Sequence, residues 1–397
     1  MSGSKKVRWG VVGLGHRGQY LATLYHRIIP NSTVIALCDR FEMQAADALK
    51  ALGDPDVMIY TDYDRMLKEA PIDAVAVIVE PENNADIVCR ALESGKHVLC
   101  EVPLCYTIKD CWRIITTVEK TGLKFQMAEQ TRYGAYVKAW KKMVDDGTLG
   151  KILYCEGQYL HGMAPDRYWI DAETGSPVTI EEAKRSKRKL KKSRFWHMKH
   201  AIFYLPHELS PLLHILGDRV VRVVGMATRP KSYRYEWLPV SDIEVALMHT
   251  KNDTVMRLMT GFVVATLQGS EHCNRMIGTS GWVEQPRTYS EKGKLWLADR
   301  YMADKADITW DYRDAWELPH AAATTGHGGL DYYPGANMVD AILHDAPLEM
   351  DVYASADTAA PAILAGISIE KGSIPLDVPD FRPGRDRKPG QMPKKLY

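Results

Sequence analysis

The 397-residue sequence carries almost no net charge and has few cysteines, and both facts exclude classes of protein. Its formal net charge is +1, so no global field attracts nucleic acid or an anionic membrane surface. The seven cysteines are scattered, and none forms a C-x-x-C pair or stands beside histidines at zinc spacing. We therefore expect no metal site and interpret the cysteines as small buried hydrophobic residues in a reducing compartment.

Two kinds of targeting segment are also missing from the sequence. No apolar signal segment precedes the first strand, because MSGSKKVRWGVVG runs directly into it. No apolar run is long enough to span a bilayer. We expect a cytoplasmic protein whose partner is a small molecule rather than nucleic acid or a membrane.

The first third of the chain alternates strand and helix signals. Near-uniformly apolar runs occur in VRWGVVGLG, STVIALCD, IDAVAVIVE and HVLCEV, with a weaker one in KFQMAEQ. Helical patterns lie at 17–29, 42–51, 83–94 and 107–121. Apolar strands separated by helices are typical of a parallel sheet covered on both faces. The sequence therefore predicts an α/β fold that begins with a doubly wound Rossmann domain over residues 1–128.

The pattern changes after about residue 125. A helix over 135–146 is followed by an alternating strand, KILYCEGQYLHG, and by strand candidates at 220–229, 243–250, 255–267 and 272–278. This order predicts a second, α+β domain over 129–378 with an open, mostly antiparallel sheet. The tail over 379–397 is rich in Pro, Arg and Lys and is predicted to be an extended arm.

A glycine-rich motif follows the first strand. VVGLGHRGQY places Gly13, Gly15 and Gly18 between a strand and a helix, and Asp39 ends the second strand roughly 20 residues later. This context predicts a dinucleotide whose pyrophosphate lies at the helix N-terminus. A carboxylate at the ribose favours NAD over NADP, although Arg40 weakens that preference. The predicted cofactor-binding residues are Gly13, Gly15, His16, Arg17, Gly18, Asp39, Arg40, Pro81, Asn84, Glu101 and Val102.

The glycine motif, CDR and ALESGKHVLCEVPL, followed by a sheet domain, resemble the Gfo/Idh/MocA oxidoreductases. In most members of that superfamily the fourth strand ends in Glu-Lys-Pro, and the lysine assists proton transfer at the sugar hydroxyl being oxidised. This chain has Glu101, Val102 and Pro103 there. Because valine neither donates nor accepts a proton, the sequence counts against a dehydrogenase of the usual kind.

Several dispersed motifs give a narrower resemblance. EVPLCYTIKDCW, AEQTRY, GQYLHG, PHELSP and GHGGLDYY are similar to NAD-dependent glycoside hydrolases of family 109, which includes α-N-acetylgalactosaminidases, and of family 188, which includes sulfoquinovosidases. AEQTRY and YLHG depart from the family 109 forms. The resemblance implies hydrolysis without net redox change, by transient oxidation at C3, elimination, water addition and re-reduction.

The same resemblance implies a set of catalytic residues. Glu129, Tyr159, His161 and His207 match site positions of family 109. Tyr159 and His161 are two apart on a predicted strand, so they share one face. We expect His207 to take the O3 proton and Tyr159 to act as the C2 base, provided His161 or a nearby cation lowers the pKa of the phenol.

The substrate group is suggested by a basic run. Eight Lys and Arg residues lie between 184 and 194, and they are usually interpreted as a solvated loop or helix face. Arg194 and Lys199 are close enough to His207 in sequence to reach the pocket, where cations favour an anionic sugar such as a sulfoquinovoside. Tyr332 and Tyr333 are predicted to line the sugar site.

Other functions stay open from the sequence. They are an α-N-acetylgalactosaminidase of the same mechanism, a sugar dehydrogenase that releases NADH, a lyase acting on 3-keto-glycosides, and a non-catalytic NAD-binding regulator. By analogy with the superfamily, the open face of the second sheet predicts a homo-oligomer, a dimer or higher.

Overall fold

The structure is a computed structural model that describes residues 5–162, 169–193, 200–266, 270–288, 291–298, 308–310, 318–384 and 387. Its first sheet has six parallel strands in the order β3-β2-β1-β4-β5-β6. The strands are β1 (Val7–Val12), β2 (Ser32–Cys38), β3 (Met58–Tyr60), β4 (Ala74–Val77), β5 (His97–Cys100) and β6 (Phe125–Met127). This confirms the predicted Rossmann sheet, although the short strand β3 was not predicted.

Helices cover both faces of this sheet. They are α1 (His16–Arg27), α2 (Glu42–Leu52), α3 (Tyr63–Glu69), α4 (Pro81–Glu93) and α5 (Ile108–Thr121). The strand order reverses between β1 and β4, so the ligand crevice of such a sheet is expected at the carboxyl ends of these strands. A threonine caps α5, because the Thr107 side chain accepts a hydrogen bond from the Asp110 N–H and so starts the helix.

The second domain is built on a nine-stranded sheet. After α6 (Ala135–Asp145) come β7 (Ile152–His161), β11 (Val220–Ala227), β12 (Glu244–Thr250), β13 (Val255–Gly261), β14 (Ser270–Gly278), β15 (Gly281–Glu284), β16 (Gly293–Leu297), β17 (Ile308–Trp310) and β18 (Leu376–Asp377). Their order is β17-β16-β15-β14-β7-β13-β12-β11-β18. Apart from the parallel pair β7–β13, the described pairs are antiparallel. The strand predicted over 255–267 ends earlier, at Gly261.

A small three-stranded sheet, which the sequence did not predict, lies between β7 and β11 in chain order. It consists of β8 (Trp169–Asp171), β9 (Pro177–Val178) and β10 (Leu190–Lys192), with α7 (Ile180–Arg185) between the last two. The later helices are α8 (Pro206–Leu216), α9 (His320–Ala323), α10 (Tyr332–His344) and α11 (Val352–Glu370). The described part of the basic run therefore includes residues of α7 and of β10.

Helix α11 corrects one sequence expectation. By length and composition it could cross a membrane, whereas we expected no such run. However, 72% of its apolar window is buried, because the helix packs between β11 of the large sheet and α5 of the first domain. In this fold α11 is a core helix.

The described start of the C-terminal arm is packed on the first domain. Phe381 is fully buried, and its ring lies 4.6 Å from the ring of Trp112 on α5, measured between centroids. Arg387 donates to Glu119 on the same helix. The arm predicted over 379–397 is thus fixed to α5 through its described residues.

Candidate active site

The glycine loop after β1 has two glycines that the chain itself requires. Gly13 has a φ of +87°, and a Cβ there would lie 2.2 Å from the Ile78 carbonyl oxygen. A Cβ on Gly18 would lie 1.9 Å from the Gly13 oxygen. A Cβ on Gly15 would meet none of the described residues within 4 Å, so no contact in that part of the chain explains this glycine. The open space at Gly15, beside the exposed His16 at the start of α1, fits a ligand group against the helix N-terminus.

Backbone N–H groups of the glycine loop and of the residues after β2 hold the Asp39 side chain in place. Its carboxylate accepts the Leu14 N–H at 2.6 Å and the Phe41 N–H at 2.9 Å. Because each carboxylate oxygen has a further lone pair, Asp39 can still accept ribose hydroxyls. Arg40 is paired with Glu80 at 3.0 Å, which neutralises the cation that would otherwise attract a 2′-phosphate. The pair therefore favours NAD.

Glu101, at the end of β5, has one carboxylate oxygen available. Oε1 accepts from Arg17 Nε at 3.1 Å, while Oε2 is buried and has no hydrogen-bond partner among the described residues. An orphaned buried acceptor costs free energy unless a ligand donates to it. Together with Gly15 and Asp39, this oxygen fits a bound dinucleotide, whose ribose hydroxyls would be held by the two carboxylates.

Arg17, predicted to bind the cofactor, is paired with two carboxylates in the structure. Its guanidinium bridges Glu101 and Asp331, and it binds Asp331 through two nitrogens at 2.8 and 2.9 Å. Burial would lower the pKa of Arg17, but Glu101 and Asp331 outweigh it and raise that pKa. Burial would likewise raise the pKa of Asp331, but His327 and Arg17 lower it. Arg17 therefore ties the cofactor loop to the GHGGLDYY segment.

Three other residues that were predicted to bind the cofactor are buried and form part of the wall of the cofactor crevice. Pro81 is the first residue of α4, and Asn84 on that helix donates to the Pro103 carbonyl at 2.9 Å. Val102 is 5% exposed and packs in the core beside Leu104. An aliphatic side chain thus occupies the position at which the superfamily usually has its lysine.

Glu129 and His207 form a buried pair just beyond β6. Nδ1 of His207 lies 3.0 Å from the carboxylate, and Thr131 donates to Glu129 from its N–H and hydroxyl at 3.0 and 2.8 Å. Burial would raise the pKa of Glu129, but the charge and hydrogen bond of His207 and the Thr131 donors lower it. The carboxylate fixes Nδ1 of the imidazole, which leaves Nε2 for a substrate.

Tyr159 lies at the centre of the predicted catalytic group. Its ring centroid is 5.0 Å from that of His207 and 4.5 Å from that of His161. The strand period places Tyr159 and His161 on one face of β7, as predicted, and His161 stacks on Phe262 at 5.5 Å. The structure therefore brings Glu129, Tyr159, His161 and His207 together beside the carboxyl end of the Rossmann sheet.

Sequence reasoning missed three neighbours of this group. His272 lies on β14 with its ring 4.5 Å from Tyr159, and Glu208 on α8 binds that imidazole. Tyr204 is one turn before His207 and lies 6.2 Å from it. Tyr204 could have been found from the sequence, because it precedes His207 by three residues and such a spacing places two side chains on one side of a helical turn. Nothing in the sequence pairs His272 with Tyr159.

Two of the predicted substrate residues, Tyr332 and Tyr333, are not brought to this group. Tyr332 and Tyr333 line a separate groove of about 350 Å³ between α10 and the turn before β2, and Tyr333 stacks on Tyr133 at 5.2 Å. None of the described residues lining that groove belongs to the catalytic group. Arg194 and Lys199 lie outside the described residues, so their role stays a prediction.

The described end of the basic run lies beside Arg40, at the end of the cofactor crevice that is away from the catalytic group. Lys191 and Lys192 line a groove of about 310 Å³ with Arg40 and Glu80, and Lys191 Nζ lies 5.9 Å from the Phe41 ring. Gln44 on α2 donates to the Thr174 carbonyl at 2.9 Å. The small sheet therefore packs beside Asp39, where the adenosine ribose would bind.

Comparison with known families agrees with this domain pair. Residues 7–129 match the oxidoreductase family with an NAD-binding Rossmann fold, and residues 133–388, more than half of the chain, match the C-terminal domain of glycosyl hydrolase 109. The chain belongs to the glycosyl hydrolase 109 family. A family 109 protein of Streptomyces coelicolor is 28% identical over 98% of this chain and 87% of its own length. One from Porphyromonas gingivalis is 26% identical over 95% and 85%.

Solved structures share the fold of this family member. Levoglucosan dehydrogenase in complex with NADH and levoglucosan has a TM-score of 0.73 at 18% identity, covering 94% of this chain and all of the other. The scyllo-inositol dehydrogenase of Lactobacillus casei with bound NAD(H) and scyllo-inositol has a TM-score of 0.69 at 20% identity, covering 94% and 99%. The cofactor is NAD, and the family 109 domain beside the Rossmann domain supports an NAD-dependent glycosidase.

Proposed function

We propose that the protein hydrolyses a glycoside without net redox change, by transient oxidation at C3, elimination across C1 and C2, water addition and re-reduction. The observation that carries this proposal is the meeting of two acid–base groups, His207 and Tyr159, beside the NAD crevice. NAD held by Asp39 and Glu101 would supply a reversible hydride acceptor for C3. The chain's own residues have to move the protons.

His207 is suited to the proton on O3. Its Nδ1 is engaged by the buried Glu129, so Nε2 is the nitrogen left to accept a proton from the sugar hydroxyl. The negative charge of Glu129 stabilises the imidazolium that results, as a carboxylate does for a catalytic histidine elsewhere. This pair supplies a base in place of the lysine that Val102 replaces.

Tyr159 is suited to the hydrogen on C2. Once C3 is a ketone, the neighbouring C–H bond becomes acidic, and a phenolate can remove its proton while the C1 oxygen leaves. Tyr159 is 8% exposed and lies between two histidine rings, so a substrate ring over the site contacts it and His207 from one side. Two separate bases are what an oxidation followed by an elimination requires.

For the substrate we propose an anionic sugar such as a sulfoquinovoside. The sequence positions of Arg194 and Lys199, shortly before His207, support this choice, since guanidinium and ammonium groups bind sulfonates and carboxylates well. An N-acetylgalactosaminide is the second candidate, because the relatives found are family 109 proteins.

A panel of aryl glycosides tests both the reaction and the substrate. Purified enzyme with NAD⁺ is expected to release the aglycone from a sulfoquinovoside, without NADH accumulating in its near-ultraviolet absorbance band. Cleavage of the N-acetylgalactosaminide alone would contradict the anionic substrate. NADH formed in proportion to product would instead identify a dehydrogenase, and cleavage restricted to 3-keto-glycosides would identify a lyase.

A further inference from the structure

Tyr159 has a third histidine neighbour besides His161 and His207, namely His272, which faces it from the adjacent strand. β7 and β14 are antiparallel, and Tyr159 is directly opposite His272 in their register, so both side chains lie on one face of the sheet. Their ring centroids are 4.5 Å apart, closer than the 5.0 Å between Tyr159 and His207. The phenol therefore lies between two imidazoles on different elements.

A buried carboxylate holds His272. Glu208 is 1% exposed, and its Oε1 lies 2.5 Å from Nδ1 of His272. Its Oε2 accepts the amide of Asn274 at 2.7 Å. Both oxygens are thus engaged, and the imidazole keeps only Nε2 for other partners. This arrangement repeats that of His207 on Glu129, with Glu208 the residue immediately after His207 on α8.

The sheet is shaped to admit this carboxylate. Gly157 lies under α8, and a Cβ there would lie 3.2 Å from Cβ of Glu208 and 2.6 Å from Oδ1 of Asn274. Any side chain at 157 would push the helix away from the strand or displace the Asn274 amide. The absence of a side chain therefore lets Glu208 come close enough to reach His272.

His272 also connects the site with solvent. Its side chain is 37% exposed, whereas that of Glu208 is 1% exposed. Forming a phenolate at the buried Tyr159 is costly unless its proton goes to a neighbouring group that can hold the charge. An imidazole whose ring packs against the phenol, with a carboxylate on its Nδ1, meets that requirement.

We propose that His272 is the proton carrier for Tyr159, an inference that rests on the proposed function. The O–H bond of Tyr159 breaks and its proton binds to Nε2 of His272. The phenolate then takes the proton from C2, and the electron pair of that C–H bond forms the C1–C2 double bond and expels the C1 oxygen. That oxygen takes the proton from His272 and leaves as an alcohol. Water addition runs through the same proton transfers in reverse, so Tyr159 and His272 both regain their starting states.

The test separates oxidation at C3 from proton removal at C2. Single-turnover reactions in D₂O with NAD⁺ and the glycoside cleaved by the wild type are followed by NADH absorbance and by deuterium at C2. In His272→Gln we expect the NADH burst to stay within about twofold of wild type, and C2 exchange to fall about 100-fold, since removing an acid–base group costs 10²–10⁴. Glu208→Gln should lose about 10-fold in C2 exchange, because its imidazole is less well supported.

Two controls make the outcomes decisive. His249→Gln changes an exposed histidine on β12, paired with Asp253, and should alter neither signal. His272→Ala should regain C2 exchange when imidazole is added. Wild-type exchange in His272→Gln, or equal loss of burst and exchange without rescue by imidazole, would overturn this role alone. Absence of C2 exchange in the wild type would overturn the proposed function together with it.

Discussion

Single residues of the cofactor loop differ in what constrains them. Gly13 and Gly18 are required by backbone contacts within the protein, whereas the space beside Gly15 is open. Gly15 has a φ of −62° and a ψ of −178°, a conformation that alanine adopts without strain. The glycine at this position is therefore explained by the ligand rather than by folding.

Gly15→Ala should bind NAD at least about 10-fold more weakly, because a methyl group would occupy the space left for the pyrophosphate. Its unfolding free energy without NAD should stay within about 0.5 kcal/mol of wild type, as for surface substitutions. Calorimetric titration and thermal unfolding measure the two effects. Gly18→Ala is the contrasting variant, which should destabilise the protein through its clash with the Gly13 oxygen. Unchanged NAD affinity in Gly15→Ala would contradict this assignment.

The residues that the sequence predicts to be catalytic carry local signals. Tyr159 and His161 alternate within one strand, and Glu129 and His207 lie in short motifs. His272 could not be predicted, because its place beside Tyr159 depends on the register between β7 and β14, which no local pattern fixes. Arg17 was correctly placed in the loop, but its partner Asp331 comes from the other end of the chain.

At the scale of elements, the contact between α8 and β7 determines the geometry of the site. α8 carries His207 and Glu208 side by side, one directed to Glu129 and the other to the sheet. Gly157 allows this close approach, because a side chain at this position of the strand would collide with Glu208 on the helix. The sequence showed the strand and the motif on α8 but not their packing.

Gly157→Ala should lower the unfolding free energy by about 1–3 kcal/mol, because the new methyl overpacks a filled interface. Leu258 Cδ2 would lie 2.9 Å from that methyl, and the Asn274 oxygen 2.6 Å. Chemical denaturation measures the loss, and Gly15→Ala serves as the same substitution at an open position. A Gly157→Ala protein of wild-type stability would show that the helix does not need this approach.

His214 on α8 gives the protein an acid-sensitive element. Burial, with Arg132 and Lys141 nearby, lowers its pKa from 6.5 to about 4. The unfolded chain therefore binds a proton first, and stability falls as the pH drops from about 6.5 to about 4. His214→Asn should remove about 1 kcal/mol of that loss, allowing for the partial exposure of the ring.

His200 offers a comparison of opposite sign. Burial would lower its pKa, but Glu244 and Glu370 raise it overall. The contribution of His200 to stability is therefore complete below the pKa that it has in the unfolded chain. It is lost as the pH rises through the higher pKa that it has in the folded protein. Unfolding free energies measured from acid to mildly alkaline pH should change slope at different ends of the range. In His214→Asn stability should fall less steeply as the pH drops below about 6.5, and in His200→Asn it should fall less steeply as the pH rises above that value. The same change in both variants would contradict these assignments.

At the scale of the whole molecule, late segments of the chain complete the first domain. α10 packs on the Rossmann sheet, where the Gln126 amide donates to Pro334 at 2.9 Å, and the Met127 N–H donates to Met350 at 3.1 Å. The domain order was evident from alternating strands and helices. That α10 and α11 return to the first domain was not, since amphipathic patterns do not specify which surface a helix covers.

The outer face of the large sheet supports the expected homo-oligomer, which we propose forms there. Met226, Leu247 and Val255 are 65%, 50% and 46% exposed on neighbouring strands β11, β12 and β13. Exposed apolar patches of this kind mark protein interfaces. Leu247→Lys combined with Met226→Lys should therefore lower the mass measured by light scattering to that of one chain. Ile59→Lys, at an exposed position in the other sheet, is the control. A monomeric wild type would contradict the interface.

The transfer of C2 hydrogen to solvent tests the central claim most directly. The wild-type enzyme is incubated in D₂O with NAD⁺ and the glycoside that it cleaves, and the released sugar is analysed by NMR. We expect one deuterium at C2 in each product molecule and no net NADH, because C2–H must break before the C1 oxygen leaves. Product that retains hydrogen at C2 would show direct hydrolysis and would contradict the roles assigned to His207 and Tyr159.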